Sequence, residues 1–203
     1  MSTPYRIPAH QTTIETEVSR SRFVSTIYPV DSVALVKSIL AQRRKELPDA
    51  SHHVYAYKIG FGNSVIEGLS DDGEPTGTSG PPILSCLRGS DIGDVLIIVT
   101  RFFGGTLLGT GGLVRAYTEA AALVIKACPT TLKIAYTKLL VMVDYTAVTR
   151  LKRLIAECEA EIIAEQFTES VEIEVRIPTL HLDPFSKAVN DLTSGNTYIT
   201  ELS

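Results

Sequence analysis

The chain has 203 residues, 44% of them hydrophobic and 21% charged, with a formal net charge of −4. That balance supports packed cores and excludes a disordered chain, and it lacks the basic excess a non-specific nucleic-acid binder needs. Three cysteines, Cys86, Cys128 and Cys158, are widely spaced without CxxC or Cys/His patterns, which argues against a disulfide framework or a zinc motif. The N-terminal residues Met-Ser-Thr-Pro-Tyr-Arg-Ile-Pro lack the apolar stretch of a secretory signal. The longest apolar runs, such as Val95–Val99, are too short to cross a bilayer. A soluble, cytoplasmic protein with no membrane partner is expected.

In chain order, Thr12–Val18 and Arg22–Val30 are β-branched and alternating, and predict two strands of a hairpin. Asp31 is placed as the N-cap of a helix carrying Val33, Val36 and Leu40 and ending near Leu47, before Pro48. His52–Ile59 alternates again and predicts a strand, with Ser64–Leu69 as its hairpin partner. Pro81-Pro82 suits the first turn of a helix through Leu87. Asp94–Thr100 is a continuous apolar run, the pattern of a central strand covered on both faces. Leu113–Ala127 predicts a helix.

Cys128-Pro-Thr-Thr131 marks a domain boundary, giving domains 1–129 and 130–203. Split at Pro129, the first part holds 12 Lys+Arg against 12 Asp+Glu, the second 7 against 11. The C-terminal part therefore carries the whole net charge, with Glu157, Glu159, Glu161 and Glu165 close together. Its elements read as a strand (133–143), a helix (146–157), strands at 160–167 and 171–177, a helix (183–192) and a last strand from Thr197. The order β-α-β-β-α-β suggests a ferredoxin-like domain, and the fold class is α+β in two domains.

Thirteen of the fourteen glycines lie between Gly60 and Gly112, most of them in or beside two polar stretches: Ser70-Asp-Asp-Gly-Glu-Pro-Thr-Gly-Thr78 and Arg101-Phe-Phe-Gly-Gly-Thr-Leu-Leu-Gly-Thr-Gly-Gly112. Glycine serves where backbone takes positive φ or approaches something closely. In the second stretch a buried strand delivers Arg101, then Gly104 and Gly105 make a turn. Gly109, Thr110, Gly111 and Gly112 lead into a helix, whose free N–H groups would accept an anion, reinforced by Arg101 and Arg115. The alternative is that these glycines only permit tight packing of helix on strand. The stretch is neither a Walker loop nor GxGxxG, and no cofactor is expected.

The first stretch offers Asp71, Asp72 and Glu74 beside Thr76. Carboxylates and hydroxyls suit a hard cation, yet the spacing is not that of an EF-hand, and no metal is assigned. The acids would equally pair with Arg101 or Arg115 and order the turn. His52-His53 opens a strand, so the rings point to opposite faces; His53 is taken as the one that reaches the site. No nucleophile system stands out, so no catalytic residue is named.

These residues carry a family resemblance. Ser70–Thr78 resembles the SDDGEPxGT segment of the YigZ/IMPACT family, Gly93–Gly109 (with Val-Thr-Arg-Phe-Phe-Gly-Gly-Thr-Leu-Leu-Gly) its signature, and Gly109–Tyr117 the GTGGLVRAY continuation. Ser21-Arg-Phe23 and Ser51-His-His53 fit its early positions, and the likeness spans the chain, on the pattern of the bacterial two-domain branch. The resemblance implies an N-terminal domain of the ribosomal-protein-S-five second-domain type. It also implies a C-terminal ferredoxin-like domain similar to the last domain of elongation factor G. Eukaryotic relatives regulate translation by competing for the activator of an amino-acid-starvation kinase, a pathway bacteria lack. The implied function is a cytosolic regulatory protein, more binder than enzyme, acting in translation through a protein, ribosomal or RNA partner. The alternative is an enzyme or binder of a phosphorylated or nucleotide small molecule. The acidic C-terminal domain disfavours direct RNA docking there, which directs attention to the N-terminal glycine stretches.

Overall fold

In the computed structural model, which describes residues 4–62 and 64–202, the chain divides into two compact units, Tyr5–Lys133 and the residues from Ile134 onward. The first contains β1 (Tyr5–Pro8), β2 (Thr12–Val18), β3 (Ser21–Pro29), α1 (Val33–Glu46), β4 (His52–Ile59), β5 (Ile66–Ser70), α2 (Gly80–Arg88), β6 (Val95–Phe102), α3 (Gly109–Ala127) and β7 (Thr130–Lys133). Five strands form a sheet in the order β2-β3-β6-β4-β5, with every neighbour antiparallel.

Strand β6 lies at the centre, which explains its unbroken apolar run. Val95, Ile97 and Val99 pack with Phe23, Ile27, Val54 and Ala56 against α2 and α3. Leu96 and Ile98 point to the other face and pack with Tyr28, Val30 and Val36 under α1. Each such side chain contributes roughly 1.5–3 kcal/mol through burial.

Three local features differ from the sequence reading. The N-cap of α1 is Ser32, whose Oγ accepts from Leu35 N–H at 3.3 Å, and not Asp31. Helix α3 starts at Gly109 and not at Leu113, so the glycine run forms its first turn. The strand expected over 133–143 is broken: β7 pairs antiparallel with β1, Tyr5 opposite Lys133, and a separate strand follows. That pairing carries the first unit four residues past the expected boundary at Pro129, to Lys133.

The second unit contains β8 (Tyr136–Val143), α4 (Val148–Glu157), β9 (Glu161–Phe167), β10 (Val171–Pro178), α5 (Leu182–Thr193) and β11 (Tyr198–Leu202). This is the β-α-β-β-α-β order, in a sheet running β11-β8-β10-β9. Alternate residues, among them Leu139, Val141, Ile173 and Val175, turn inward onto Leu151 and Ile155 of α4 and Phe185 and Val189 of α5. On the acidic side Glu165 is paired with Lys152 at 2.7 Å.

Candidate functional site

Strand register builds the site. Arg101 stands opposite Phe23 on β3 and opposite His52 on β4. Directly opposed residues share a face, and Phe23 belongs to the core under α2 and α3. The row Phe23–Arg101–His52 therefore faces the side on which both glycine stretches lie.

Glu74 meets Arg101 there. Its Oε1 accepts from Arg101 Nη1 at 2.7 Å and from the Tyr117 hydroxyl at 2.8 Å. The two charged side chains are only 3% and 5% exposed. Arg101 Nη2 also donates to Ser21 Oγ at 3.2 Å, and the guanidinium carbon lies 5.6 Å from the Phe23 ring centroid and 5.5 Å from that of Phe103. Burial, followed by the Glu74 charge, pushes the Tyr117 phenol far above its ordinary range and fixes it as a donor. A buried ion pair of this kind is costly to break from one side, about 3–5 kcal/mol.

The other acids of the turn are engaged elsewhere. Asp71 Oδ1 accepts from the backbone N–H groups of Ser79 and Gly80, and Oδ2 from Gly77 N–H. It therefore caps α2, whose adjacent Ser79 makes no side-chain cap bond. Asp72 pairs with Arg44 and accepts from His53 N–H at 2.7 Å. Among the described residues no group of three or more His, Cys, Asp and Glu is placed to hold a metal ion. Thr76 is exposed beside this turn.

A pocket of about 410 Å³ opens above the Arg101–Glu74 pair, lined by His52, Pro75, Phe103, Leu107, Leu108, Gly109, Thr110 and Leu113 as well. Of the expected residues, Arg101, Glu74, Gly109 and Thr110 line it, and His53 and Arg115 are among those that do not. His53 is buried on the opposite face, its Nδ1 3.2 Å from Thr100 Oγ1, and burial lowers its pKa. His52, directly opposite Arg101, lines the pocket instead. Arg115 is exposed on α3, off the face that buries Leu113, Ala116, Tyr117 and Ala120. A residue two positions from both Leu113 and Tyr117 cannot share their helix face.

The glycines divide by role. A Cβ on Gly104 would lie 1.9 Å from Arg20 O, so this one permits close packing against the β2–β3 turn. Gly105 and Gly109 have φ of +80° and +67°. Gly111 would meet nothing within 4 Å, and Gly112 only Leu108. Among the described residues no side chain caps the start of α3, so the backbone donors of its first turn are open beside the pocket.

Ser21, His52, Leu107, Leu108 and Tyr117 were not singled out from sequence. Tyr117 was recoverable from the 3.6-residue period of α3, with Leu113, Ala116 and Ala120. His52 needed the β4–β6 register, which one sequence does not contain.

These features define a two-domain α+β protein with a pocket built over a buried ion pair in its N-terminal unit. The Impact N-terminal domain family matches residues 19–125, and a domain of unknown function (DUF1949) matches residues 141–196. The chain belongs to the IMPACT family. It is 35% identical over 191 residues to IMPACT family member YigZ of Escherichia coli, covering 94% of both chains. It is 32% identical over 196 residues to an IMPACT family member of Haemophilus influenzae, covering 96% of this chain and 95% of that one. Protein IMPACT of Xenopus laevis is 38% identical over 94 residues, 44% of this chain and 30% of that protein. A crystal structure of a hypothetical protein, 33% identical, superimposes with a TM-score of 0.70 over 100% of this chain and 99% of that one. No helix among the described residues is long and apolar enough to cross a membrane.

Proposed function

We propose that this IMPACT-family chain is a cytoplasmic, non-enzymatic regulator that acts in translation by binding a protein partner at the N-terminal pocket. One observation carries the reading. The charged groups of the site are engaged with each other while its apolar lip is left open, Leu107 at 87% exposure and Phe103 at 48%. A large apolar side chain held in water beside a concave surface is the form of a binding anchor. The translation assignment rests on the likeness of the family's domains to those of translation factors, an argument from fold analogy.

Leu107→Ser is the suitable probe, because it alters the lip without touching the Arg101–Glu74 pair. Affinity capture and ribosome co-sedimentation from lysate should enrich translation components with the native chain and lose them with L107S. Enrichment unchanged by L107S, or none with either chain, would discard the reading. A second reading, a phosphorylated or nucleotide ligand at the open start of α3, draws on the uncapped Gly109–Gly111 turn. A thermal shift with nucleotides, with and without magnesium, would favour it over the first.

A further inference from the structure

The pocket presents three kinds of surface in a fixed arrangement. Its floor holds an open acceptor beside the buried Arg101–Glu74 pair. His52 Nδ1 lies 2.9 Å from the carbonyl oxygen of Asp72. A carbonyl only accepts, so Nδ1 carries the hydrogen, and Nε2 is the ring's other nitrogen. That Nε2 lies 3.8 Å from Glu74 Oε2. Oε2 receives no hydrogen bond among the described residues, since Arg101 and Tyr117 both donate to Oε1. Glu74 is thus a side chain 97% buried, by its 3% exposure, with one oxygen unpartnered at the pocket. That open carboxylate oxygen asks for a donor from outside.

The rim supplies the opposite polarity. Gly109 and Thr110 line the pocket at the uncapped N-terminus of α3, where backbone N–H groups and the helix dipole favour an anionic oxygen. The walls are apolar: Pro75, Phe103, Leu107, Leu108 and Leu113. Arg101 offers no free charge, because Glu74 already holds it. A phosphate is therefore a poor match, since it would bring negative charge and only acceptors to the open Glu74 carboxylate oxygen.

The geometry points to the carboxyl terminus of a partner protein with an apolar last residue as the occupant of this pocket. The terminal carboxylate would sit on the N–H groups at the start of α3. The N–H of the last peptide bond would donate to Glu74 Oε2, and the terminal side chain would fill the apolar walls. Capture of a chain-end carboxylate by open backbone N–H groups is a recurring mode of peptide recognition. A terminus is favoured over a free amino acid by size and by the lip. The volume of about 410 Å³ falls among sites for ligands larger than one residue, ~300–1,000 Å³. Leu107 and Phe103 also extend apolar surface past the mouth, where preceding residues would lie. The inference rests on the reading of this pocket as a partner-recognition site.

The test uses the whole chain and labelled hexapeptides read by fluorescence anisotropy. A hexapeptide ending in leucine with a free carboxylate should bind. Its C-terminal amide should bind at least about tenfold more weakly, the effect expected of losing a charge-assisted bond, and the same peptide ending in aspartate should be weakened by a similar factor because it sets a charge against the apolar walls. Thr110→Pro removes one rim N–H at a first-turn position that tolerates proline, and should weaken the carboxylate peptide by a similar factor while leaving the amide unchanged. Equal affinity for acid and amide would overturn the inference, as would displacement by free leucine as effective as by the peptide. No binding of any hexapeptide, with the L107S-sensitive capture from lysate intact, would overturn it too and leave the partner-binding reading standing. The acid-versus-amide comparison needs no variant, so it stands even if T110P fails to fold.

Discussion

Gly104 and Gly111 sit seven positions apart in one glycine stretch and answer to different physics. A methyl on Gly104 would run into the Arg20 carbonyl, which is backbone and cannot move aside. Gly111 lies in the first turn of α3 with open space around it. Gly104→Ala should therefore destabilise strongly, by at least about 2 kcal/mol, whereas Gly111→Ala should be neutral or stabilise by about 0.4–1 kcal/mol. Urea unfolding of the two variants checks the pair. The histidine on the far face makes a prediction of another kind. Burial holds the His53 pKa below its ordinary value of 6.5, so the folded chain keeps the ring neutral where the unfolded chain takes up a proton. Stability from this group is present above that value and lost as pH falls from it toward the lower folded-state pKa. Unfolding midpoints between neutral and mildly acidic pH should decline for the native chain. His53→Gln should flatten that decline, and an unchanged slope would remove His53 as its source.

At the scale of elements, the acidic turn works first as a fastener. Asp71 gathers three backbone donors of the turn and of the start of α2, a capping role that Ser79, the residue at the cap, does not fill. Asp71→Ala should cost about 1–2 kcal/mol, with Asp71→Ser recovering part of it; denaturant midpoints for the two variants measure this. The turn shows what a sequence can disclose about a site. That Asp71, Asp72 and Glu74 would order a loop was legible, since acids beside glycines favour tight turns and caps. Which acid would reach Arg101 was not, because it depends on the path of the turn through Gly73 and Gly77, at φ of +88° and +83°. Most elements were legible from alternation and period, β6 most clearly, because burial on both faces leaves no polar position in its run. The ribbon β1–β7 was not, since Tyr5–Pro8 and Thr130–Lys133 are short and mostly not buried, so neither shows a periodic signal.

At the scale of the whole molecule, that unread ribbon decides where the first unit ends. Composition and Pro129 place the boundary at 129, but Tyr5–Pro8 then loses its partner strand. Lys133 also closes on Asp94, which is 4% exposed and sits at positive φ just before β6. Burial alone would raise the Asp94 pKa, yet Lys133, the Gly60 N–H and the Tyr5 hydroxyl together hold it below its ordinary value. Ending the chain at Pro129 strips one of these partners and strands the other end of the ribbon, whereas ending it at Lys133 keeps both. A fragment from the N-terminus to Lys133 should therefore be more stable than one to Pro129 by at least about 2 kcal/mol, the cost of depriving a buried carboxylate of a charged donor. Urea unfolding of the two fragments measures the difference directly. Asp94→Asn in both should shrink the gap, because the neutral amide has less need of the lysine, and the remainder reports the strand pairing alone. Equal midpoints for the unmodified fragments would return the boundary to Pro129 and reduce the ribbon to a passive crossing of chain.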